Sequence, residues 1–174
     1  MLIDSHAHIQ GKEYAGEADA VIARARAAGV EKIIVVGGAG DMSSNSEAVA
    51  LAARFENVYA TVGMHPHDAK DVGADELTTL KDLAAHPKVV AVGETGLDYY
   101  YNHSPHDTQQ RVFARFIDMA RETELPIVVH ERDAAREAAE LLRAEGGGKL
   151  RGVIHCFTGN YDAARAYLDL GFYL

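Results

Sequence analysis

Met1-Leu2-Ile3-Asp4-Ser5-His6-Ala7-His8 opens the chain as a short apolar run that ends in two histidines separated by one alanine. Residues two apart on a strand face the same side, so both imidazoles can converge on one ion. Neutral imidazole suits zinc, copper, iron and nickel. The same arrangement, an apolar run followed at once by chemically useful residues, recurs along the chain. Residues 32–36 lead into Gly37-Gly38, and residues 58–62 into Gly63-Met64-His65-Pro66-His67. Residues 89–92 lead into Gly93-Glu94-Thr95-Gly96-Leu97-Asp98-Tyr99. Residues 126–129 end at His130, followed by Arg132 and Asp133, and residues 152–154 end at His155 and Cys156.

These runs, with residues 2–4, read as buried strands. Between them, segments rich in Ala, Leu, Arg and Glu carry helical periodicity over 17–28, 43–55, 74–85, 106–123, 133–145 and 160–170. Gly29, Gly146 and Gly171 stand just past helical patterns, where a left-handed terminating residue is favoured. Strict strand–helix alternation implies a parallel sheet with right-handed crossovers. Six units are legible, and Gly171-Phe172-Tyr173-Leu174 reads as the start of a seventh strand. An open doubly wound sheet would also accommodate six strands. Placement of the ligand-type residues separates the two, because in a parallel barrel every strand's carboxyl end reaches one rim. The expected fold is therefore an α/β, TIM-like (β/α) barrel. A full eight-stranded barrel typically takes about 250 residues, so residues 1–174 are expected to form one barrel domain that lacks its C-terminal part.

Composition narrows the function classes. The 174 residues are 48% hydrophobic, enough for a substantial core. No apolar stretch approaches the roughly 20 residues that span a bilayer, and the N-terminus lacks the basic and apolar regions of a signal peptide. One cysteine, Cys156, excludes an intrachain disulfide framework and makes a reducing cytoplasm the default compartment. A net charge of −9 disfavours broad nonspecific nucleic-acid binding. Phosphate substrates stay compatible with it, since bound divalent ions reverse the sign of a local site.

At the strand ends, His6, His8, Glu94, His130 and His155 are the candidate metal ligands. Two histidines and a carboxylate hold one divalent ion. Glu94, with two oxygens, can bridge to a second ion completed by His130 and His155. Such a two-metal site can activate water, orient a phosphoryl group and stabilise the leaving oxygen. Arg132 can donate bidentate hydrogen bonds to a phosphate or pair with Asp98 or Asp133. His67 can contact phosphate, or the Pro66-His67 pair can simply shape a turn. Tyr99 to Tyr101 can stack on an unpaired base or cover the barrel mouth. His86, His103 and His106 lie off the strand ends and read as surface residues.

Five motifs together resemble the TatD family of metal-dependent deoxyribonucleases within the amidohydrolase superfamily. They are Asp4-Ser5-His6-Ala7-His8, Gly63-Met64-His65-Pro66-His67, Gly93-Glu94-Thr95-Gly96-Leu97-Asp98-Tyr99-Tyr100, residues 126–134 and Gly152-Val153-Ile154-His155-Cys156-Phe157-Thr158-Gly159. They occur in the family's order and span essentially the whole chain. The resemblance implies a distorted barrel, one or two divalent ions (zinc, manganese, nickel, iron or magnesium) and hydrolysis of phosphodiester bonds in DNA, often with exonuclease character. It places His6, His8 and Glu94 on one metal, Glu94, His130 and His155 on another, and His67 and Arg132 against substrate phosphates. Glu94 is then the central catalytic residue. Gln10 stands where many members carry an acidic residue. The family's last ligand, an aspartate in a Glu-Thr-Asp motif, does not follow His155 in this sequence. Two other readings accompany this one: a superfamily hydrolase of a small ester, amide, lactone or aminoacylated tRNA, and a noncatalytic metal-binding fragment.

Overall fold

The computed structural model describes residues 1–14 and 16–174. Six strands form one parallel sheet: β1 (Leu2–Ala7), β2 (Val30–Val36), β3 (Val58–Val62), β4 (Val89–Asp98), β5 (Ile127–Arg132) and β6 (Gly152–His155). Their spatial order is their order in sequence. A doubly wound sheet requires a point where strand order reverses. None exists here, so each crossover steps the same way around and the sheet curls as part of a TIM-like barrel. Helices α1 (Ala18–Ala27), α2 (Ser43–Arg54), α3 (Ala74–Ala84), α4 (His106–Thr123), α5 (Ala135–Glu145) and α6 (Tyr161–Leu168) alternate with the strands. After α6 the chain returns to the sheet. Tyr173 bridges Val153 in parallel, and Ile154 N donates to Tyr173 O at 2.9 Å. The seventh strand therefore begins where the apolar tail of the sequence placed it.

The helices form because their apolar residues recur at three and four. In α4, Val112, Phe113, Phe116, Ile117 and Ala120 make one stripe, all of it buried against the sheet. The strands facing them carry Val35, Val58, Ala60, Val92, Ile127 and Val129, also buried.

Three local expectations need correction. The run at residues 2–4 does form a strand, but it is exposed, with Leu2 at 59% and Ile3 at 50%. As the sheet's first strand, β1 has a partner only on its β2 side. Gly146 is not left-handed; its φ of −69° belongs to the helix, and the positive φ falls on Gly147 and Gly148 instead. Finally, β4 does not stop at residue 92 but runs ten residues to Asp98. Two glycines make that extension possible. A Cβ on Gly93 would stand 2.5 Å from the Val128 carbonyl oxygen, and one on Gly96 only 2.0 Å from that of His130. Both adopt positive φ, 139° and 145°, a region that L side chains rarely occupy.

The α4 stripe carries much of the packing. Phe116→Ala should lower the unfolding free energy by about 3–5 kcal/mol, measured by urea denaturation. Leu168→Ala, at a half-exposed position, should stay within about 0.5 kcal/mol.

Candidate metal centre

Four strand ends and one turn deliver the site. His6 lies near the end of β1 and His8 just beyond it, while His130 lies in β5 and His155 closes β6. The last two are direct partners in the sheet register. His65 caps the 3₁₀ turn Pro66–Asp71 that follows β3. Glu94 sits at an irregularity in the β4–β5 register, between the Val92–Ile127 and Thr95–Val129 pairs. A bulge of this kind re-aims a side chain, and here it directs a carboxylate, 3% exposed, into the ring of histidines.

The two oxygens of Glu94 face different partners. Oε2 is 3.2 Å from His6 Nε2 and 3.8 Å from His8 Nε2. Oε1 is 3.0 Å from His130 Nδ1, 3.3 Å from His155 Nε2 and 3.8 Å from His65 Nε2. His6 and His8 bring their Nε2 atoms within 3.1 Å of each other, and the His155 ring stacks on His6 at 3.8 Å. Two sets of three donors, His6–His8–Glu94 and His65–Glu94–His130, have ligand atoms all within 4.8 Å of one another.

Hydrogen bonding on the far side of each ring decides which nitrogens offer lone pairs. His8 Nδ1 lies 3.1 Å from the Val36 carbonyl oxygen. A carbonyl only accepts, so this nitrogen carries the proton and Nε2 faces the site bare. His65 is the reverse case. Its Nδ1 accepts from the His67 amide at 3.2 Å, so the neutral ring carries its proton at Nε2, which lies 3.1 Å from His130 Nδ1 and 3.8 Å from Glu94 Oε1. His65 is therefore a donor into the site, and His155 is the better third ligand on the Oε1 side.

Asp98 anchors the arrangement from behind. Its Oδ2 is 3.0 Å from both His67 Nε2 and His130 Nε2, and its Oδ1 accepts from the amides of Tyr100 and Tyr101 at 3.0 and 2.9 Å. Gln109, fully buried on α4, holds the Asp98 backbone by accepting from its amide at 2.7 Å and donating to its carbonyl at 2.9 Å. Burial alone would raise the Glu94 carboxyl, but hydrogen bonds from His130 and His6 hold it far below the usual carboxylate range. Asp98 is likewise lowered, its burial outweighed by the Tyr101 amide, His67 and His130. Burial would lower His130, yet the carboxylates at its two nitrogens raise it. Burial, with His130 alongside, drops His65 to about 3, and burial also lowers His8 and His155.

The structure thus brings His6, His8, Glu94, His130 and His155 together. Of the two residues expected at substrate phosphates, His67 is held by Asp98 beside this cluster. Arg132 lies farther out, its guanidinium 4.0 Å from the Tyr100 ring centre. It forms no ion pair with Asp98 or Asp133; Asp98 already accepts from two amides and two imidazoles. His65 and Asp98 went unassigned as site residues in the sequence. His65 carried a usable signal, the same strand-end position as the others, whereas the role of Asp98 depends on contacts with no sequence signature. His103 is exposed, as read, but its ring lies 4.6 Å from that of His67 and lines the cleft. That cleft is about 630 Å³ and is bordered by His8, His65, Glu94, His130 and His155. A larger hollow of 900 Å³ around Pro126 and Arg151 contains no such convergence of donors.

A family model described as TatD related DNase matches residues 3–174. The chain belongs to the TatD family. Among TatD relatives, the "Uncharacterized metal-dependent hydrolase YabD" of Bacillus subtilis is 42% identical over 174 residues, covering 100% of this chain and 68% of that protein. The "3'-5' ssDNA/RNA exonuclease TatD" of Cronobacter sakazakii is 35% identical over 173 residues, covering 99% and 65%. The crystal structure of YJJV, a TatD homologue from Escherichia coli K12, superposes with a TM-score of 0.89 at 29% identity, covering 98% of this chain and 66% of that one. This chain thus spans about two thirds of the length of these TatD proteins. No helix among the described residues is long and apolar enough to cross a membrane.

The donor set of this TatD chain fits a divalent cation. Ligands of one ion at about 2 Å must lie roughly 3 Å apart, as the Nε2 atoms of His6 and His8 do, and Glu94 Oε2 adds a buried anionic oxygen beside both. Zinc or manganese at a hundredfold excess over its Kd should raise the unfolding free energy by about 2.7 kcal/mol, read as a thermal shift. Glu94→Ala should abolish that shift. Asp98→Asn should weaken metal affinity about 10–100-fold by isothermal titration.

Proposed function

We propose that this chain forms the metal-binding portion of a phosphodiesterase that cleaves single-stranded DNA or RNA from an end. The observation that carries the reading is the division of Glu94, one oxygen toward His6 and His8 and the other toward His130 and His155. This arrangement supports a bridging role for the carboxylate, with one divalent ion on each side. Such ions would supply the polarisation of a phosphoryl oxygen and the activation of water that phosphodiester hydrolysis needs. A relative named as an ssDNA/RNA exonuclease supports the substrate class.

The chain's own residues prepare this chemistry. Glu94 stays ionised although buried, because five imidazoles crowd it. Asp98 fixes His130 through Nε2, so that Nδ1 is presented to Glu94. His65 enters the cleft as a neutral donor whose N–H can reach a phosphoryl oxygen. His67 is placed by Asp98 for contact with phosphate, with Arg132 beyond it. Cys156, exposed and alone, fits a reducing compartment such as the cytoplasm.

Incubation of the chain with end-labelled single-stranded DNA and manganese or zinc tests the proposal. Stepwise shortening from one end, abolished by a chelator and by Glu94→Ala, is expected. His65→Ala should reduce turnover about 10²-fold, the scale of losing one oriented donor, while leaving metal affinity within a few-fold. Turnover of aryl or carboxylic esters with DNA left intact would reject the nuclease reading.

A further inference from the structure

Three consecutive tyrosines leave the end of β4, and the structure uses them in different ways. Tyr99 is committed inward. Its hydroxyl accepts from Gln110 Nε2 at 2.6 Å, and its ring stacks on His106 at 3.7 Å. Tyr100 and Tyr101 are not committed. They are 56% and 50% exposed, pack edge to face at 4.7 Å, and unlike Tyr99 do not pack on the hydrophobic core. Arg132 lies over both, at 4.0 and 4.8 Å from the ring centres, and makes no side-chain hydrogen bond or ion pair among the described residues. Tyr101 also meets the His67 ring at 5.5 Å and lies parallel to the His103 ring at 5.7 Å. An aromatic and cationic shelf thus continues directly from the cleft that holds Glu94.

This shelf is tied to the candidate metal centre. Asp98 accepts the amides of Tyr100 and Tyr101 on one oxygen and the imidazoles of His67 and His130 on the other. One buried carboxylate therefore sets the distance between the shelf and the catalytic cleft. Every nucleobase has a π-face, and stacking on exposed aromatic rings, reinforced by arginine, is the general means of holding unpaired bases. A chain of net charge −9 gains little from nonspecific attraction to phosphates, so the grip on a nucleic acid must come from such local contacts.

We propose that Tyr100 and Tyr101, backed by Arg132, form a subsite that stacks an unpaired nucleobase next to the bond being cleaved. The subsite rests on the phosphodiesterase reading above and deepens it. It selects single strands because a base paired in a duplex cannot reach the rings. The stacked base sets the position of the adjoining phosphate relative to Glu94. Stacking does not depend on base identity, so the subsite discriminates strandedness rather than sequence.

The test uses the intact chain with zinc or manganese and two fluorescein-labelled phosphorothioate strands that resist cleavage, a short oligothymidylate and an abasic strand of equal length. Fluorescence anisotropy should show the base-bearing strand binding roughly ten-fold or more tightly. Tyr100→Ala and Tyr101→Ala should each remove most of that preference while leaving abasic binding unchanged, and Tyr101→Phe should retain it. Equal binding of both strands by the unmodified protein overturns the subsite and leaves the phosphodiesterase reading standing. Alanine variants that weaken both strands alike also overturn it, since the loss then does not involve the base. Binding of neither strand, with hydrolysis of simple esters intact, overturns both readings. The unmodified protein's comparison of the two strands decides the matter even if a tyrosine variant fails to fold.

Discussion

A carboxylate that is almost wholly buried cannot remain charged without partners, and Glu94 is such a group. Taking an ion out of water costs several kcal/mol or more unless opposite charge or hydrogen-bond donors replace the solvent. The fold meets this cost by converging strand ends on one point. Strands β1, β5 and β6 contribute His6, His130 and His155, the segment just past β1 contributes His8, and the turn after β3 adds His65. Each is modest alone; together they make ionised Glu94 the centre on which the rest of the rim is arranged.

The path of β4 is what makes that convergence possible. A strand that stopped at residue 92 would leave Glu94 in a loop, free to turn toward water. Instead Gly93 and Gly96 let the chain press against β5 where any side chain would collide with a carbonyl oxygen, and the bulge between them points Glu94 inward. The strand then continues to Asp98, whose carboxylate reaches His130 from the opposite side. His130 consequently lies between two carboxylates, which orient its ring and hold its proton against the opposing effect of burial. Asp98 is itself fixed by the buried Gln109 of α4, so the outer helical layer contributes to the geometry of the inner rim.

The tautomers add a division of labour that distances alone do not show. His8 and His65 both lie within reach of Glu94, yet one presents a lone pair and the other a hydrogen. A backbone group on the far side of each ring makes the difference, a carbonyl for His8 and an amide for His65. The rim thus presents both polarities from one residue type.

The sequence determined a good deal by itself. Alternating apolar and helix-period segments located the six strands and the six α-helices, though not the 3₁₀ turn at Pro66–Asp71, because burial of one face imposes those periods whatever the surroundings. A ligand-type residue after each run pointed to one shared rim, since parallel strands bring all their carboxyl ends to the same side. What the sequence could not determine depends on neighbours distant in the chain. The length of β4 follows from close passage against β5, and the seat of Arg132 over Tyr100 and Tyr101 from the arrangement of the rim. The ligand or donor character of each histidine rests on which backbone group stands behind its ring. These are properties of three-dimensional juxtaposition, set by the sheet register and the bulge, and no local pattern of residues encodes them.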